Sequence, residues 1–529
     1  MLDAIIISDS GDDTYSASSP LRLQIDGKIA LIQYIRNYVE NNGRIIPPVA
    51  GENENNWHTA PKLNGIRLLN YLKNQGIKAY LIDSYFNERN HFIHLLKERP
   101  KAVIISTTFI SNKATLVHLA RDIKELNPDL FLIAGGPFVF TSYLLSQRLH
   151  DKTYDTESPK KDYLFLDVDV EPKIDLYIID QRGENLLSEV LDRLKINKSL
   201  ENVPNTGYLD DYHQYVFSSR TDFFPTDISV NWEQLPETLF QSKVGNIQAS
   251  TGCPYNCEFC NFVKDKRHTF IKPLDQLVEE LKQVARKGIQ YIRFVDDNFR
   301  LGKSDLNMVC RRIISEGLDL KWMSFIRAST LSETNFQLLK QAGCIEVQMG
   351  IESANQNILK GMNKQADPKM YKRVIQELLD IGINCSCCFI VGFPGETVET
   401  FEETLEFIQN IPEKNQLGEF YWSIYPFMLL PLSPIYEAEK RKQYSLNGYI
   451  NHWKHATMSS DTAYHFIKTA FWRIESPTPI YSGDNMEMLN ALSPEQRKNF
   501  LHLRHAWAKE ALNNGIDKSR LVKDFAKFF

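Results

Sequence analysis

Between about residue 245 and residue 430 the sequence alternates six times between strand and helix patterns. Short runs rich in β-branched and aromatic residues, such as YIRFVDD and IEVQMG, alternate with amphipathic stretches. In the first of these stretches Leu274, Leu277 and Leu281 mark one apolar face. Six successive units predict a partial parallel barrel over residues 244–430, because eight units close a usual barrel of this kind. Catalytic groups are then expected at the carboxyl ends of its strands.

A similar alternation precedes this barrel. Runs such as AIIIS, KAVIIST and LFLIAGG are separated by amphipathic stretches, which predicts a doubly wound α/β domain over residues 1–200. The glycines at 135 and 136 and the proline at 137 end a strand at the carboxyl edge of this sheet, where open α/β folds bind ligands. Three prolines between 201 and 243 favour a linker there, and residues 431–529 favour a mostly helical cap.

Composition limits the partners of the chain. Its 529 residues are 43% hydrophobic and 24% charged, as is typical of a folded globular protein with several domains. A formal net charge of −5 gives no basic field to attract nucleic acid or anionic membrane, so neither is expected as a partner. The opening residues have no basic region, and their apolar run spans only residues 4–7, too short for a signal peptide. We therefore expect a cytoplasmic protein.

Three of the eight cysteines lie in the segment TGCPYNCEFCNF as Cys253, Cys257 and Cys260. A structural zinc site needs four protein ligands, yet no second cysteine or histidine pair follows at finger spacing, and His268 is the one nearby imidazole. Iron–sulfur clusters are also normally held by four thiolates. A C-x3-C-x2-C segment therefore leaves one iron open to a ligand that the protein does not provide.

This segment, placed directly after the first strand of a βα series, resembles the radical S-adenosylmethionine (SAM) superfamily. The resemblance implies a TIM-type partial (β/α)6 barrel and a [4Fe–4S] cluster held by Cys253, Cys257 and Cys260. It implies that SAM chelates the fourth iron and is cleaved by one electron to a 5′-deoxyadenosyl radical that removes a hydrogen atom. An external one-electron reductant of the ferredoxin or flavodoxin type is then an expected partner.

Other barrel segments match the family's SAM-binding motifs. By this resemblance Asp296 and Asp297, at the end of RFVDDNF, would accept hydrogen bonds from the SAM ammonium group. Glu352, in GIES, would bind the ribose hydroxyls, and Lys364 would pair with the SAM carboxylate. Arg327 is a second candidate partner of that carboxylate. Each of these side chains could also be an ordinary charged surface group.

The segment FIVGFPGET ends the fifth strand. The resemblance implies that the backbone from Ile390 to Gly392 lies along the adenine and that Glu396 caps the next helix. Over residues 1–430 the layout is similar to cobalamin-domain radical SAM enzymes, so the first domain is expected to be B12-binding-like. The cobalamin-ligand signature D-x-H-x-x-G is absent, and His91 and His94 lie in a helical stretch instead. Cobalamin is therefore a possible but not a favoured cofactor.

The segment NCSCCFIVGFPGE carries Cys385, Cys387 and Cys388. These thiols could simply fill a β core, since cysteine is often buried. Strand alternation puts Cys388 on one face and Cys385 with Cys387 on the other, so at least one thiol is expected to point into the barrel, and Cys388 is favoured. A thiol there can return a hydrogen atom to a carbon radical.

This arrangement resembles the radical SAM peptide epimerases that mature proteusin-type ribosomal peptides. The resemblance implies that a Cα hydrogen of a precursor peptide is removed and that a cysteine returns one from the opposite face, giving a D-residue. The sequence thus ranks a peptide epimerase first and a cobalamin-dependent radical SAM methyltransferase second. A non-catalytic iron–sulfur binding protein is the third alternative.

Overall fold

The computed structural model describes residues 2–11, 21–45, 60–167, 174–180, 183–221, 228–262, 269–299, 303–412, 417–481, 484, 486–489 and 491–529. Their strands are β1 Ala4–Ile7, β2 Gln24–Ile25, β3 Lys28–Ile29, β4 Ala79–Ile82, β5 Ala102–Ser106, β6 Phe131–Gly135, β7 Leu176–Ile178, β8 Thr206–Leu209, β9 Tyr215–Phe217, β10 Val244–Ile247, β11 Ser250–Thr251, β12 Phe270–Ile271, β13 Tyr291–Phe294, β14 Lys321–Phe325, β15 Cys344–Glu352, β16 Asn384–Val391, β17 Phe420–Pro426, β18 Asn447–Tyr449, β19 His452–Lys454 and β20 Thr478–Pro479. Their α-helices are α1 Ile32–Glu40, α2 Leu63–Asn74, α3 Arg89–Leu95, α4 Lys113–Leu126, α5 Pro137–Ser146, α6 Glu184–Lys195, α7 Leu274–Arg286, α8 Lys303–Ser315, α9 Ala328–Leu331, α10 Phe336–Gln341, α11 Gln356–Gly361, α12 Pro368–Asp380, α13 Val398–Gln409, α14 Ala438–Tyr444, α15 Ser460–Arg473, α16 Pro494–Asn514 and α17 Lys518–Phe525.

The chain forms two compact units. The first comprises Met1–Thr14, Pro61–Leu235 and Tyr436–Ala438. Its sheet has the strand order β4-β1-β5-β6-β7-β8-β9, in which β4, β1, β5, β6 and β7 run parallel. All four residues of β1 are buried, as expected for a parallel strand covered on both faces by helices. The α/β class predicted for this region is confirmed.

The order of these strands creates a point where the winding of the sheet reverses. β4 and β5 lie on opposite sides of β1. The crossover from β1 to β4 and the crossover from β4 to β5 therefore run in opposite directions across the sheet. Open α/β sheets bind ligands in the crevice outside the carboxyl ends of strands at such a point. The crevice of the first unit therefore lies after β1 and β5.

Part of the predicted linker is a hairpin. β8 pairs antiparallel with β7 and with β9, which extends the first sheet by two strands. Asp210 closes the turn, since its backbone N–H donates to the carbonyl of Gln214 at 2.9 Å. The prediction of a linker over residues 201–243 was wrong for this stretch. The prolines on which that prediction depended lie outside the hairpin, so they do not interrupt its pairing.

The second unit comprises Tyr15–Ala60, Pro236–Ile435 and Glu439–Phe529. Its main sheet has the order β10-β13-β14-β15-β16-β17-β20 with every neighbouring pair parallel. The six predicted strands are present in sequence order, which confirms the partial barrel. The short strand β20, from the C-terminal region, adds a seventh that the sequence did not predict. β10 and β20 are the two ends of the strand order, so the sheet is open.

The crossover helices follow the predicted periodicity. The buried residues of α7 include Leu277, Leu281 and Val284, which recur at intervals of three and four and form the face against the sheet. α12 starts at Pro368 after Asp367, whose side chain accepts a hydrogen bond from the first turn. α10 starts at Phe336 after Asn335, whose side chain accepts a hydrogen bond from the N–H of Leu338.

An N-terminal segment, residues 21–45, belongs to the second unit although the sequence placed it in the first domain. Its apolar side chains share one core with C-terminal residues such as Phe500 and Trp507. The backbone N–H of Ile32 donates to Asp484 Oδ1 at 3.0 Å. Arg504 Nη2 lies 2.8 Å from the other oxygen of Asp484. Contacts that distant in sequence leave no local pattern, so alternation alone could not reveal them.

The C-terminal region is mostly helical, as predicted. It contains α14 to α17 and the two-stranded hairpin of β18 and β19. Among the described residues, no helix combines the length and apolarity that crossing a membrane requires.

Candidate active site

The three-cysteine segment forms a loop directly after β11 and near the carboxyl end of β10. Cys257 is buried, whereas Cys253 and Cys260 are partly exposed. The backbone N–H of Cys260 donates to the carbonyl of Cys257 at 3.1 Å, which makes a tight turn between these two cysteines. The first strand of the barrel therefore delivers all three thiols to one short loop at the edge where catalytic groups were expected.

Contacts from distant elements hold this loop in place. The backbone N–H of Glu258 donates to the carbonyl of Met362 at 2.9 Å, and the side chain of Asn363 donates to the carbonyl of Asn256 at 2.8 Å. Both partners follow α11. From the C-terminal side, Lys440 Nζ lies 3.3 Å from Glu258 Oε1. The segment that follows α11 and the C-terminal region of the same unit thus both bind the loop.

The thiols of the loop influence one another electrostatically. Burial raises the pKa of Cys253, while the Arg327 guanidinium opposes this rise. Burial raises the pKa of Cys260 to about 11, with a further rise from Cys257 and Cys253 and an opposing effect of Lys364. Thiols in this state are protonated at neutral pH, so a bound metal must displace their protons to form thiolates.

The two aspartates at the end of β13 bind the backbone that leads into the cysteine loop. Asp296 accepts hydrogen bonds from the N–H of Ala249 at 3.2 Å and from Ser250 Oγ at 2.5 Å, and also from the N–H of Ser250. Asp297 Oδ2 accepts from the N–H of Gly252 at 2.7 Å. Burial raises the pKa of Asp296 to about 7, against the lowering effect of these hydrogen bonds. In this structure Asp296 positions the loop, a role that the sequence did not indicate.

Glu352 and Lys364 form a buried ion pair at the end of β15. Lys364 Nζ lies 2.7 Å from Glu352 Oε1, and their side chains are 7% and 10% exposed. Glu352 adopts a left-handed backbone conformation, φ 67°, at a β-bulge that turns its side chain toward Lys364. A Cβ on Gly350 would lie 2.3 Å from Glu352 Oε1, so a side chain at this position would displace the Glu352 carboxylate from its place beside Lys364. The sequence assigned these two side chains to separate ligand groups, whereas the structure pairs them.

Arg327 follows β14 and reaches the same area. Its guanidinium carbon lies 3.6 Å from the centre of the Tyr255 ring, which places a cation over an aromatic face inside the cysteine loop. Its Nη2 donates to the backbone carbonyl of Lys364. Its Nε is buried without a hydrogen-bond partner among the residues that the structure describes. Such a donor suits an anionic ligand group, because an unsatisfied buried N–H is costly.

The three cysteines of β16 divide between the two faces of the sheet. Cys385 and Cys387 are buried at 0% and 1% exposure, whereas Cys388 is partly exposed. Burial raises the pKa of Cys388 to about 12, Glu352 raises it further and Lys364 opposes this. Cys388 therefore lies within electrostatic reach of the buried ion pair, on the face that the alternation predicted. Cys385 and Cys387 pack on the opposite face.

In the turn after β16, hydrogen bonds hold both the N–H and the carbonyl oxygen of Gly392. The N–H of Gly392 donates to Glu396 Oε2, and its carbonyl oxygen lies 3.0 Å from Nε2 of His455. Trp453 stacks on His455 with an interplanar angle of 6°, and a Cβ on Gly392 would lie 2.3 Å from the Trp453 ring. The prediction that Glu396 caps the next helix was wrong, because Thr397 caps α13.

His455, Trp453 and Gly350 are site residues that the sequence reasoning missed. The two aromatic residues lie more than sixty positions beyond Gly392, in a region interpreted only as a helical cap. No spacing rule connects them to the turn. Gly350 precedes the GIES glutamate by two positions and could have been identified as a point of close approach.

Comparison with known families identifies the barrel. Residues 247–408 match the model of the radical SAM superfamily. These residues form a radical SAM domain. It contains the cysteine loop, both aspartates, the buried ion pair and the turn at Gly392.

Relatives of the chain extend beyond this domain. An uncharacterized methyltransferase of Pyrococcus horikoshii is 28% identical over 307 residues, which cover 55% of this chain and 61% of that relative. An anaerobic magnesium-protoporphyrin IX monomethyl ester cyclase of Rubrivivax gelatinosus is 25% identical over 284 residues, covering 53% and 49%. The chain thus spans about half to three-fifths of the length of these curated relatives.

Solved structures share the whole fold. The radical SAM methyltransferase TsrM from Kitasatospora setae, with cobalamin and a [4Fe–4S] cluster bound, aligns over 100% of both chains with a TM-score of 0.60 and 13% identity. The cobalamin-dependent SAM radical enzyme OxsB, with aqua-cobalamin and SAM bound, aligns over 99% of this chain and 75% of that chain, with a TM-score of 0.59 and 16% identity. The fold predicted for all three regions of the chain is therefore confirmed.

The residues of the radical SAM domain fit an iron–sulfur cluster and SAM. Among the described residues no three His, Cys, Asp or Glu side chains are gathered closely enough to hold a single metal ion. A [4Fe–4S] cluster places a different iron at each thiolate, so Cys253, Cys257 and Cys260 need not converge on one point. The Nε of Arg327 beside this loop, which has no hydrogen-bond partner among the residues described, fits the carboxylate of a bound SAM.

The crevice of the first unit also has unpartnered polar groups. The side chain of Asn64 donates to the carbonyl of Ser8 at 2.8 Å and to Ser106 Oγ at 2.9 Å, and so joins the carboxyl ends of β1 and β5. Ser8 Oγ and Asn64 Oδ1 are buried, and neither has a hydrogen-bond partner in the part of the chain that the structure describes. Polar atoms left unsatisfied at a switch point fit a bound cofactor with hydrogen-bonding groups.

Proposed function

We propose that this chain is a cobalamin-dependent radical SAM methyltransferase. The observation that carries this proposal is that Ser8 Oγ and Asn64 Oδ1, at the switch point of a B12-binding-like sheet, are buried and have no hydrogen-bond partner among the described residues. The likeness in fold to TsrM and OxsB and the similarity to an archaeal methyltransferase support it. These comparisons offer no support for a peptide epimerase. The order of preference drawn from the sequence is therefore reversed, and cobalamin becomes a favoured cofactor.

In this proposal the residues of the chain bind and orient the cluster, SAM and cobalamin. When bound, the cluster and SAM supply one-electron chemistry, and cobalamin supplies a methyl group. Cys253, Cys257 and Cys260 hold the cluster, and Asp296 fixes the loop that carries them. Arg327 binds the SAM carboxylate through its Nε, which no described residue accepts a hydrogen bond from. Ser8 and Asn64 hold the cobalamin on the first unit.

The test begins with protein purified and reconstituted without oxygen from cells supplied with cobalamin. We expect corrinoid absorption bands together with about three to four irons per chain, and mass analysis that recovers cobalamin. Ser8→Val with Asn64→Leu should lose corrinoid but keep iron, whereas Cys257→Ala should lose iron but keep corrinoid. With SAM carrying a deuterated methyl group and a reductant, labelled cobalamin should form. Protein with iron and no corrinoid would contradict the proposal, and protein that never consumes SAM would favour a non-catalytic binding role.

A second candidate function, the peptide epimerase, is favoured by one observation. Cys388 is partly exposed on the face that carries the buried Glu352–Lys364 pair, where a hydrogen donor would be needed. In this case the partner is a ribosomal precursor peptide. Incubation in deuterated water should add one deuterium per inverted residue, and Cys388→Ala should abolish this. Cys387→Ala, on the opposite face, is the matched control, and equal effects of the two changes would refute a donor role for Cys388.

A further inference from the structure

On the inner face of the radical SAM domain, several polar side chains lie earlier along the strands than the buried Glu352–Lys364 pair. Strand register places Arg293 beside Met323, Met323 beside Glu346, and Gln348 beside Ser386. Ser386 precedes Cys388 by two positions and therefore shares its face. Ser386 Oγ lies 2.6 Å from Glu346 Oε1, which confirms that both side chains face the same side. We call this set, Arg293, Glu346, Gln348 and Ser386, the polar floor.

The polar floor borders accessible space. Arg293, Glu346 and Gln348 are partly exposed, whereas the residues that alternate with Arg293, Ile292 and Phe294, are buried at 0% and 3%. Buried apolar residues on one face and partly exposed polar residues on the other distinguish the helix-covered outside from the interior of the barrel. A molecule that enters from the carboxyl ends of the strands would pass Cys388 and then meet Arg293.

Among the described residues, Arg293 has no hydrogen-bonded partner, and Glu346 acts on it only at longer range. Among the described residues no side chain or carbonyl accepts a hydrogen bond from its guanidinium, and no carboxylate lies within ion-pair distance. Glu346 is the charged group that acts on it, yet one oxygen of Glu346 is already bound by Ser386 at 2.6 Å and by Gln348 at 3.4 Å. Burial lowers the pKa of Arg293, and Glu346 opposes this. A guanidinium that is mostly buried, reaches accessible space and has no hydrogen-bonded partner among the described residues is well placed to bind an anionic group of a ligand.

We propose that Arg293 binds a carboxylate of the substrate inside the barrel, so that the methyl acceptor is a carboxylate-bearing molecule. The inference rests on the proposed function and names the substrate class of that site. A guanidinium matches a carboxylate through two parallel hydrogen bonds, which fixes orientation as well as position. Glu346 lies near enough to oppose a second negative charge, so a phosphate dianion binds less well than a carboxylate. Arg293 is then the residue that orients the substrate toward Cys388 and the SAM-binding groups.

The test labels arginines of the reconstituted holoenzyme with phenylglyoxal and follows each site by peptide mass analysis. Sodium acetate is the probe, with sodium chloride at equal ionic strength as reference and sodium phosphate as the competing anion. Arg286, which is 53% exposed and lies 3.1 Å from Glu279, is the internal control. At acetate about four times its dissociation constant, labelling of Arg293 should slow about fivefold, because the free fraction falls as 1/(1 + [L]/Kd). Labelling of Arg286 should not change.

Three results would overturn the inference. Arg293 could resist labelling in chloride while Arg286 reacts, which would mean that small molecules do not reach the polar floor. Acetate could slow both arginines equally or neither, or phosphate could protect Arg293 better than acetate. As a second readout, acetate should raise the Tm of Arg286→Gln but not that of Arg293→Gln.

The two proposals fail separately because the labelling needs no turnover. Protection of Arg293 in protein that transfers no methyl group would refute the proposed function alone. Methyl transfer by protein whose Arg293 is not protected would refute the carboxylate inference alone.

Discussion

Replacing Lys364 by methionine leaves the Glu352 carboxylate buried without its partner. The two groups are 2.7 Å apart and their side chains are 7% and 10% exposed, so solvent reaches the carboxylate poorly. The space beside Gly350 is also narrow, since even a Cβ there would lie 2.3 Å from the same oxygen. Water therefore has little room to take the place of the ammonium group.

The expected cost follows from this burial. Removing one member of a buried, hydrogen-bonded pair destabilises by about 3–5 kcal/mol, because the remaining charge stays uncompensated. For a cooperative unit of about 340 residues, an unfolding entropy of about 2.1 cal/mol/K per residue converts this into a fall in Tm of about 4–7 °C. Lys364→Met together with Glu352→Gln removes both charges and should recover more than half of that loss.

Differential scanning calorimetry of cluster-loaded protein without SAM measures these shifts. Lys369→Met is the matched control, because Lys369 is an exposed lysine nearby at the start of α12 and should change the free energy of unfolding by less than about 0.5 kcal/mol. A fall in Tm below 1 °C for Lys364→Met would refute the reasoning. So would a double variant whose loss equals the sum of the two single losses, since independent sites add and a buried pair does not.

Two further predictions concern other buried charges. Burial raises the pKa of Glu396 to about 8, above its usual 4.5, so the folded state binds this proton more tightly than the unfolded state does. The free energy of unfolding therefore falls as the pH rises from about 4.5 to about 8. Glu396→Gln keeps an acceptor for Gly392 and removes the titration, so its Tm relative to wild type should be higher at pH 9 than at pH 5, and an equal difference at both would contradict this. Arg504→Met leaves Asp484 buried and should destabilise by about 3–5 kcal/mol, with faster hydrogen exchange in residues 21–45. Unchanged exchange there would show that the pair does not anchor that segment.

The sequence predicted those parts of the fold that depend on local periodicity. A strand has a period of two, so separation of Cys388 from Cys385 and Cys387 follows from their positions alone. The cysteine loop after the first barrel strand and the turn at Gly392 were predictable in the same way, because each lies at the end of an apolar run. Parallel strands with helical crossovers then fix the edge at which such loops meet.

The rest of the site depends on contacts between distant residues. Nothing near Gly392 indicates that His455, sixty-three positions later, binds its carbonyl oxygen. Asp296 is a plausible ligand group by its position, yet its partners are backbone amides of Ala249 and Ser250, which carry no sequence signal. The pairing of Glu352 with Lys364 required the β-bulge in β15, and a register shift of this kind is not visible in composition or alternation.

Residues 21–45 complete a core whose other buried members, from Tyr421 onward, are synthesised more than three hundred positions later. The N–H of Leu23 reaches the hydroxyl of Tyr481 at 2.7 Å across a separation of 458 residues. During synthesis the apolar side chains of this segment therefore remain without these core partners until α16 and α17 have been made. For the same reason a gene fragment starting at the barrel would encode a protein with a missing piece of its interior, and co-expression of residues 21–45 as a separate peptide should restore it.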